Sequence, residues 1–141
     1  MQQLQVYFSF NGKCQEALDF YKHCFNGEIV SIKKCSEAPK EMQEQMKNMD
    51  KNQILHSEFK AGNISFMASD CMGNNQYTIG NNISMSLNLN NETEQTKIFD
   101  KLASGGKVVM PLADTFWGAK FGVLEDRFGI KWMLSVQKQA S

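Results

Sequence analysis

Residues Leu4 to Phe10 alternate, with Leu4, Val6, Phe8 and Phe10 on one face and Gln5, Tyr7 and Ser9 on the other. That period of two is the mark of a half-buried strand, and Asn11-Gly12 ends it. From Lys13 to Phe25 the apolar positions Ala17, Leu18, Phe20, Tyr21, Cys24 and Phe25 recur at steps of three and four, the spacing of an amphipathic helix. Gly27 supplies a left-handed stop. Glu28 to Cys35 reads as a second strand, Glu37 to Lys51 as a polar loop or short exposed helix, and Gln53 to Lys60 with Asn63 to Asp70 as two strands hinged at Ala61-Gly62.

A stretch rich in Gly and Asn, Cys71 to Asn81, reads as a linker, and after it the pattern begins again. Asn82 to Asn90 alternates like a strand. Asn91 to Leu102 turns Ile98, Phe99 and Leu102 inward like a helix, and Gly105-Gly106 stops it. Lys107 to Met110 is a short strand, Pro111 to Gly118 a loop, and Ala119 to Glu125 with Ile130 to Val136 a closing pair that turns at Arg127-Phe128-Gly129. An offset of 79 carries Phe8 to Leu87, Phe20 to Phe99, Gly27 to Gly106 and Val30 to Val109 without a gap. For the closing hairpins the offset falls to 67, carrying Gly62 to Gly129 and Glu58 to Glu125. The chain therefore reads as an internal repeat of βαβββ units: one domain over 1–141, with module one about 1–72, a linker about 71–81 and module two about 82–141. The fold class is α+β.

Composition narrows the function classes. The chain has 141 residues, enough to bury roughly two-thirds of its unfolded surface. Fifteen basic residues balance fifteen acidic ones, so no electrostatic footprint for nucleic acid or an anionic membrane surface is expected. No stretch of 18 apolar residues and no basic-then-apolar leader is found, which points to the cytoplasm. Cys14, Cys24, Cys35 and Cys71 lie 10, 11 and 36 residues apart, a spacing that suits neither a paired zinc site nor a redox dithiol, so they read as reduced thiols.

Tyr7 to Tyr21, Phe25-Asn26-Gly27-Glu28-Ile29, His56-Ser57-Glu58-Phe59, Thr115 to Gly122 and Asp126 to Trp132 together resemble the PhnB-like branch of the vicinal oxygen chelate superfamily, the group of glyoxalase I, extradiol dioxygenases and the fosfomycin- and bleomycin-resistance proteins. That resemblance implies that the eight strands curve into one mixed sheet, a cup with its helices on the outer face, that a small molecule is held in the cup, and that the protein is a homodimer. It also implies where a metal would sit: on a His or Gln of the first strand and a Glu of the last strand of a module. Alternation puts Gln5, Tyr7 and Ser9 on the cup side, the offset sends Tyr7 to Ser86, and the closing Glu, four residues past the hairpin glycine, falls at Phe66 and Met133. These are not ligands for a hard divalent ion, so no metal and no cofactor is expected.

Two function classes follow. As an enzyme of the lyase, isomerase or dioxygenase type, the chain would use His56, Glu58 and Tyr7 as acid-base groups, with Glu58 fixing the tautomer of His56, or else His56 and Glu58 as part of an atypical metal site. His56 is placed on a strand face with Ile54 and Glu58, whereas His23 reads as a helix-end residue. As a binder, the chain would hold an apolar or aromatic compound with Trp117, Phe116, Phe121 and Trp132, together with Ser86, Phe66 and Met133; core packing is the competing role for these rings. Asp70, Asp114 and Asp126 read as structural, the last as a turn-capping carboxylate. A third reading, methyl transfer on demethylubiquinone, comes only from a label often attached to the branch that the chain resembles, and the sequence lacks a strand, Gly-rich turn and helix to seat a nucleoside cofactor.

Overall fold

The computed structural model describes residues 2–45, 50–70 and 77–138. Cys71, most of the linker and part of the Glu37 to Lys51 segment lie outside them. The chain divides into two compact units after Thr78. In the first, the order is β1 (Tyr7–Phe10), α1 (Cys14–Phe25), β2 (Glu28–Lys34), a 3-10 turn (Cys35–Glu37), α2 (Lys40–Gln45), β3 (Ile54–Ala61) and β4 (Ile64–Asp70). In the second it is β5 (Met85–Asn88), α3 (Glu92–Ala103), β6 (Lys107–Asp114), β7 (Ala119–Glu125) and β8 (Lys131–Gln137). Each unit forms a four-stranded mixed sheet, ordered β1-β4-β3-β2 in one and β5-β8-β7-β6 in the other. The first strand of each runs parallel to the last, and the remaining pairs are antiparallel.

Alternation decides which residues meet the helix. Phe8, Phe10, Phe59, Phe66 and Ala68 are buried from sheet one, and Ala17, Leu18, Tyr21 and Cys24 from α1. Their rings interlock: Phe59 and Phe66 stack with centroids 4.7 Å apart, and Tyr21 stands edge-on to Phe66 at 5.6 Å. The second unit buries Leu124, Trp132, Leu134 and Val136 with Gln95, Ile98, Phe99 and Leu102 of α3. Gln95 donates from Nε2 to the carbonyls of Lys120 (2.8 Å) and Leu134 (3.2 Å), fastening α3 to β7 and β8.

The repeat is real in outline but slips in detail. Helix α3 repeats α1 at an offset of 78, not 79, and by burial Phe99 answers to Tyr21, since Phe20 is only partly buried. The left-handed residue that ends α1 is Asn26 (φ 52°), where the second unit uses Gly105 (φ 78°). Gly27 serves close approach instead: a Cβ there would lie 2.6 Å from Phe59 and 2.7 Å from the Lys60 carbonyl oxygen. Strand β6 runs on through Pro111 to Asp114, beyond the expected end at Met110. Proline is tolerated because β6 is an edge strand, and the register shifts on either side of Met110.

The hairpin turns explain a further departure. β3 and β4 are joined by a two-residue turn, Gly62-Asn63, with Ala61 paired to Ile64. β7 and β8 are joined by five residues, Asp126 to Ile130, with Glu125 paired to Lys131. Counting from the hairpin glycine therefore lands on opposite faces in the two units. The strand registers match β3 with β7 at an offset of 65 and β4 with β8 at 66, so Glu58 corresponds to Val123 and not to Glu125.

Two buried carboxylates hold the ends of these elements. Asp126 accepts from the backbone N–H groups of Phe128 (2.8 Å) and Ile130 (3.1 Å) and from Trp132 Nε1 (2.9 Å), the turn cap expected of it. Helix α1 has no side-chain cap from Lys13. Asp70 at the end of β4 supplies one from a distance, accepting from the N–H groups of Cys14 (3.0 Å) and Ile54 (2.8 Å).

The Asp70→Asn variant turns an amide NH2 toward one of these donors and leaves it unpaired, so we expect a loss of about 1–3 kcal/mol in urea unfolding. The neighbouring Cys14 thiol is pushed up to about 12, first by burial and then by the Asp70 charge, against a lowering contribution from the Ser57 hydroxyl. Above the ordinary thiol pKa of 9.0 the unfolded chain ionises this group while the folded one does not. Stability linked to Cys14 is thus fully present below pH 9 and lost as pH rises toward 12. Titration of native protein with a disulfide reagent at pH 8 should leave Cys14 unreacted; rapid reaction would contradict its burial.

Candidate functional site

The faces opposite the helices carry the candidate chemistry, and the strand registers define it row by row. In sheet one, Tyr7 pairs with Met67, Met67 with Glu58, and Glu58 with Ser31. In sheet two the corresponding row is Ser86, Met133, Val123 and Met110, and the next is Asn88, Ser135, Phe121 and Ala113. The two faces differ in character: titratable and hydroxyl groups dominate the first, and apolar or uncharged side chains dominate these rows of the second.

On the first face, Tyr7 is half-exposed and donates from its hydroxyl to Ser69 Oγ at 2.9 Å. Its ring lies 6.1 Å from that of His56. Tyr7, His56 and Glu58 therefore share one face, but no hydrogen bond or ion pair joins His56 to Glu58. His56 stands opposite Lys33 on β2, and Glu58 opposite Ser31. Ile54 does not share their face. A register shift between Lys33 and Lys34 inserts an extra residue on β3 and turns Ile54 into the core, where it is 1% exposed. A groove of about 410 Å³ opens where the segment before β1 passes β3 and β4, with Gln3, Gln5, Glu58, Lys60, Ser65 and Met67 among its walls. Its lining includes Glu58 but neither His56 nor Tyr7.

On the second face the hairpin between β6 and β7 carries two rings at its tip. Phe116 is 97% exposed and Trp117 is 51% exposed. The tip is tied down beneath them: Thr115 N–H donates to the Ala119 carbonyl at 2.8 Å, Thr115 Oγ1 to the same oxygen at 2.9 Å, and Lys138 N–H to the Gly118 carbonyl at 2.9 Å. Trp117 is thus held edge-on to Phe121 at 5.8 Å, and Phe116 edge-on to Trp117 at 5.0 Å. Phe121, Met133 and Val123 are partly exposed on this same face, and Ser86 is exposed.

Two residues expected to meet a ligand turn their rings into the core, although Phe66 still lines the groove of the first unit. Trp132 is 2% exposed, packed on the α3 side with its indole N–H bound by Asp126. Phe66 is 5% exposed in the aromatic cluster of the first unit. The short Gly62-Asn63 turn sets Phe66 on the core face and puts Met67, missed in the sequence, on the open one. A count from the two-residue turn, in place of the hairpin glycine, identifies Met67. The metal positions that the sequence resemblance implies then fall at Tyr7 and Met67 in one unit and at Ser86 and Met133 in the other. A phenol, a hydroxyl and two thioethers do not fit a hard divalent ion. Among the described residues no three His, Cys, Asp or Glu side chains gather closely enough to share one.

Paired βαβββ units of this kind are the architecture of the glyoxalase and bleomycin-resistance proteins. A glyoxylase/bleomycin resistance protein/dioxygenase domain from Frankia sp. EAN1pec superposes with a TM-score of 0.67 over 98% of both chains, at 9% identity, a likeness of fold alone. The PhnB protein from Bacillus cereus superposes with a TM-score of 0.79 at 30% identity, over 96% of this chain and 99% of that one. Protein YjdN of Escherichia coli (strain K12) is 30% identical over 142 residues, 96% of each chain. The pattern described as 3-demethylubiquinone-9 3-methyltransferase matches residues 2–135, and the chain belongs to that PhnB-like family. No helix among the described residues is long and apolar enough to cross a membrane.

The two tryptophans have separable roles. Trp132→Phe removes the indole N–H that donates to Asp126 and should lower unfolding stability by about 1–3 kcal/mol, whereas Trp117→Ala should leave stability within about 0.5 kcal/mol. Iodide should quench the fluorescence of the Trp132→Phe variant strongly and that of Trp117→Ala weakly; the reverse order would contradict the placement of both rings.

Proposed function

We propose that the protein is a metal-independent small-molecule binder that holds an apolar or aromatic ligand on the open face of its second unit, against Trp117, Phe121 and Met133. The observation that carries this reading is the Trp117 ring, half-exposed, anchored by its hairpin and standing 5.8 Å from the partly exposed Phe121. A large ring kept in water at a fixed place is costly unless it covers something. Phe116 at the tip of the same hairpin adds a second ring to the edge of that surface.

The second reading is an enzyme of the glyoxalase type that uses Tyr7, His56 and Glu58. It is favoured by the 6.1 Å approach of Tyr7 to His56 and by the polar groove at Glu58. The unlinked His56 and Glu58 weigh against it, because an acid-base pair gains from a partner that orients the imidazole. The family's description names methyl transfer. Only one glycine, Gly12, lies between β1 and α1, and the sheets are mostly antiparallel, which supports binding over seating a nucleoside cofactor.

The reading includes a cytoplasmic homodimer. It is supported by the free thiols of Cys14 and Cys35 and by the half-exposed Val108, Val109 and Met110 along the edge strand β6. Native mass measurement should return twice the chain mass; a monomer at micromolar concentration contradicts this part of the proposal.

In a binding titration Trp117→Ala should cost about 1–3 kcal/mol of affinity, the scale of one large ring's burial, with His56→Ala nearly neutral. Under catalysis His56→Ala would abolish turnover and spare affinity. If neither variant changes binding or turnover, both assignments fail.

A further inference from the structure

We infer that the ligand held on the second unit is an uncharged planar aromatic molecule that carries amide-like or hydroxyl donors and acceptors on one edge, and that Asn88 and Ser135 recognise that edge. This rests on the binding reading above and specifies its ligand. The register sets Asn88, Ser135 and Phe121 side by side on β5, β8 and β7. Neighbouring strands lie about 4.8 Å apart, so the row spans about 10 Å, the reach of a bicyclic ring with one polar substituent. Phe121 and Trp117 make the aromatic end of that row.

The polar members are unengaged. Neither Asn88 nor Ser135 makes a side-chain hydrogen bond to another described residue; Ser135 is half-buried, and Asn88 beside it is exposed to water. An amide and a hydroxyl offer both donors and acceptors, and a ligand that satisfies them while covering Phe121 avoids leaving them dry and unpaired.

The charges near this end are already matched to one another. Lys120 and Lys138 reach Glu92, at 3.7 and 4.0 Å, and Lys138 also reaches Asp114 at 2.5 Å. The next charged pair on the sheet, Glu125 and Lys131, faces each other four residues along β7 from Phe121, about 13 Å away. A carboxylate or ammonium on the ligand would meet no free opposite charge here and would lose its hydration, so charged relatives of a neutral ligand are rejected.

Four probes with one ring system separate these claims: naphthalene, 2-naphthamide, 2-naphthoate and 2-naphthylmethylammonium, each titrated into the full chain by ligand-observed NMR. We expect 2-naphthamide to bind about tenfold tighter than the other three, the effect of two net hydrogen bonds. The Asn88→Ala, Ser135→Ala double variant should bring naphthamide down to the naphthalene level and leave naphthalene unchanged. Asn88→Asp should move the preference to the ammonium probe, a gain that a misfolded variant cannot give. If naphthalene binds in a Trp117-dependent way but naphthamide is no tighter, or a charged probe is tightest, this inference is overturned and the binding reading stands. If no probe binds, or Trp117→Ala changes none of them, both are overturned.

Discussion

A four-stranded sheet with one amphipathic helix to pack against can bury only one of its faces, and strand alternation then commits every second residue to the other. In each unit this rule spends the large side chains, Phe8, Phe59, Phe66 and Tyr21 in one and Trp132, Leu134 and Phe99 in the other, on the helix side. Whatever chemistry the protein has must come from the residues between them. The buried carboxylates keep the two sets apart: Asp70 joins the starts of α1 and β3, and Asp126 fixes the last turn and the Trp132 indole. Both satisfy backbone N–H groups that have no partner in their own element, a role for which burial of a charged oxygen is otherwise expensive.

The repeat then diverges where packing does not constrain it. Corresponding open positions hold Tyr7 and Ser86, Met67 and Met133, Glu58 and Val123, Ser31 and Met110. One unit thus presents titratable and hydroxyl groups, and the other a mostly neutral surface bordered by Trp117. The same βαβββ scaffold carries two chemically unlike surfaces, which is how a fold can be shared across a superfamily while its members' ligands differ.

Much of this was legible in the sequence because periodicity reports local geometry. The alternation of Tyr7 to Phe10 and the helix faces of Ala17 to Cys24 and Ile98 to Leu102 follow from side-chain direction alone. Asp126 was legible as well, since a carboxylate before a glycine-ended turn has few other uses. What failed depended on counts that alternation does not supply. The two hairpins differ by three turn residues, so Phe66 went to the core and Met67 to the open face. A bulge beside His56 inverted Ile54. Trp132 was ambiguous until its indole partner was known, because a ring serves a core and a ligand equally well. The Asp70 cap joins residues 56 positions apart, a distance over which no local pattern speaks.

The central claim is that ligand meets the second unit's open face at Trp117 and that Trp132 is structural. Its most direct measurement is two-dimensional amide and indole NMR of the 15N-labelled chain during a titration with 2-naphthamide. The account predicts that the Trp117 indole signal and the amides of Asn88, Phe121 and Ser135 move together, with the Trp132 indole still. Shifts centred on Tyr7, His56 and Glu58, with the Trp117 signal unmoved, would contradict it.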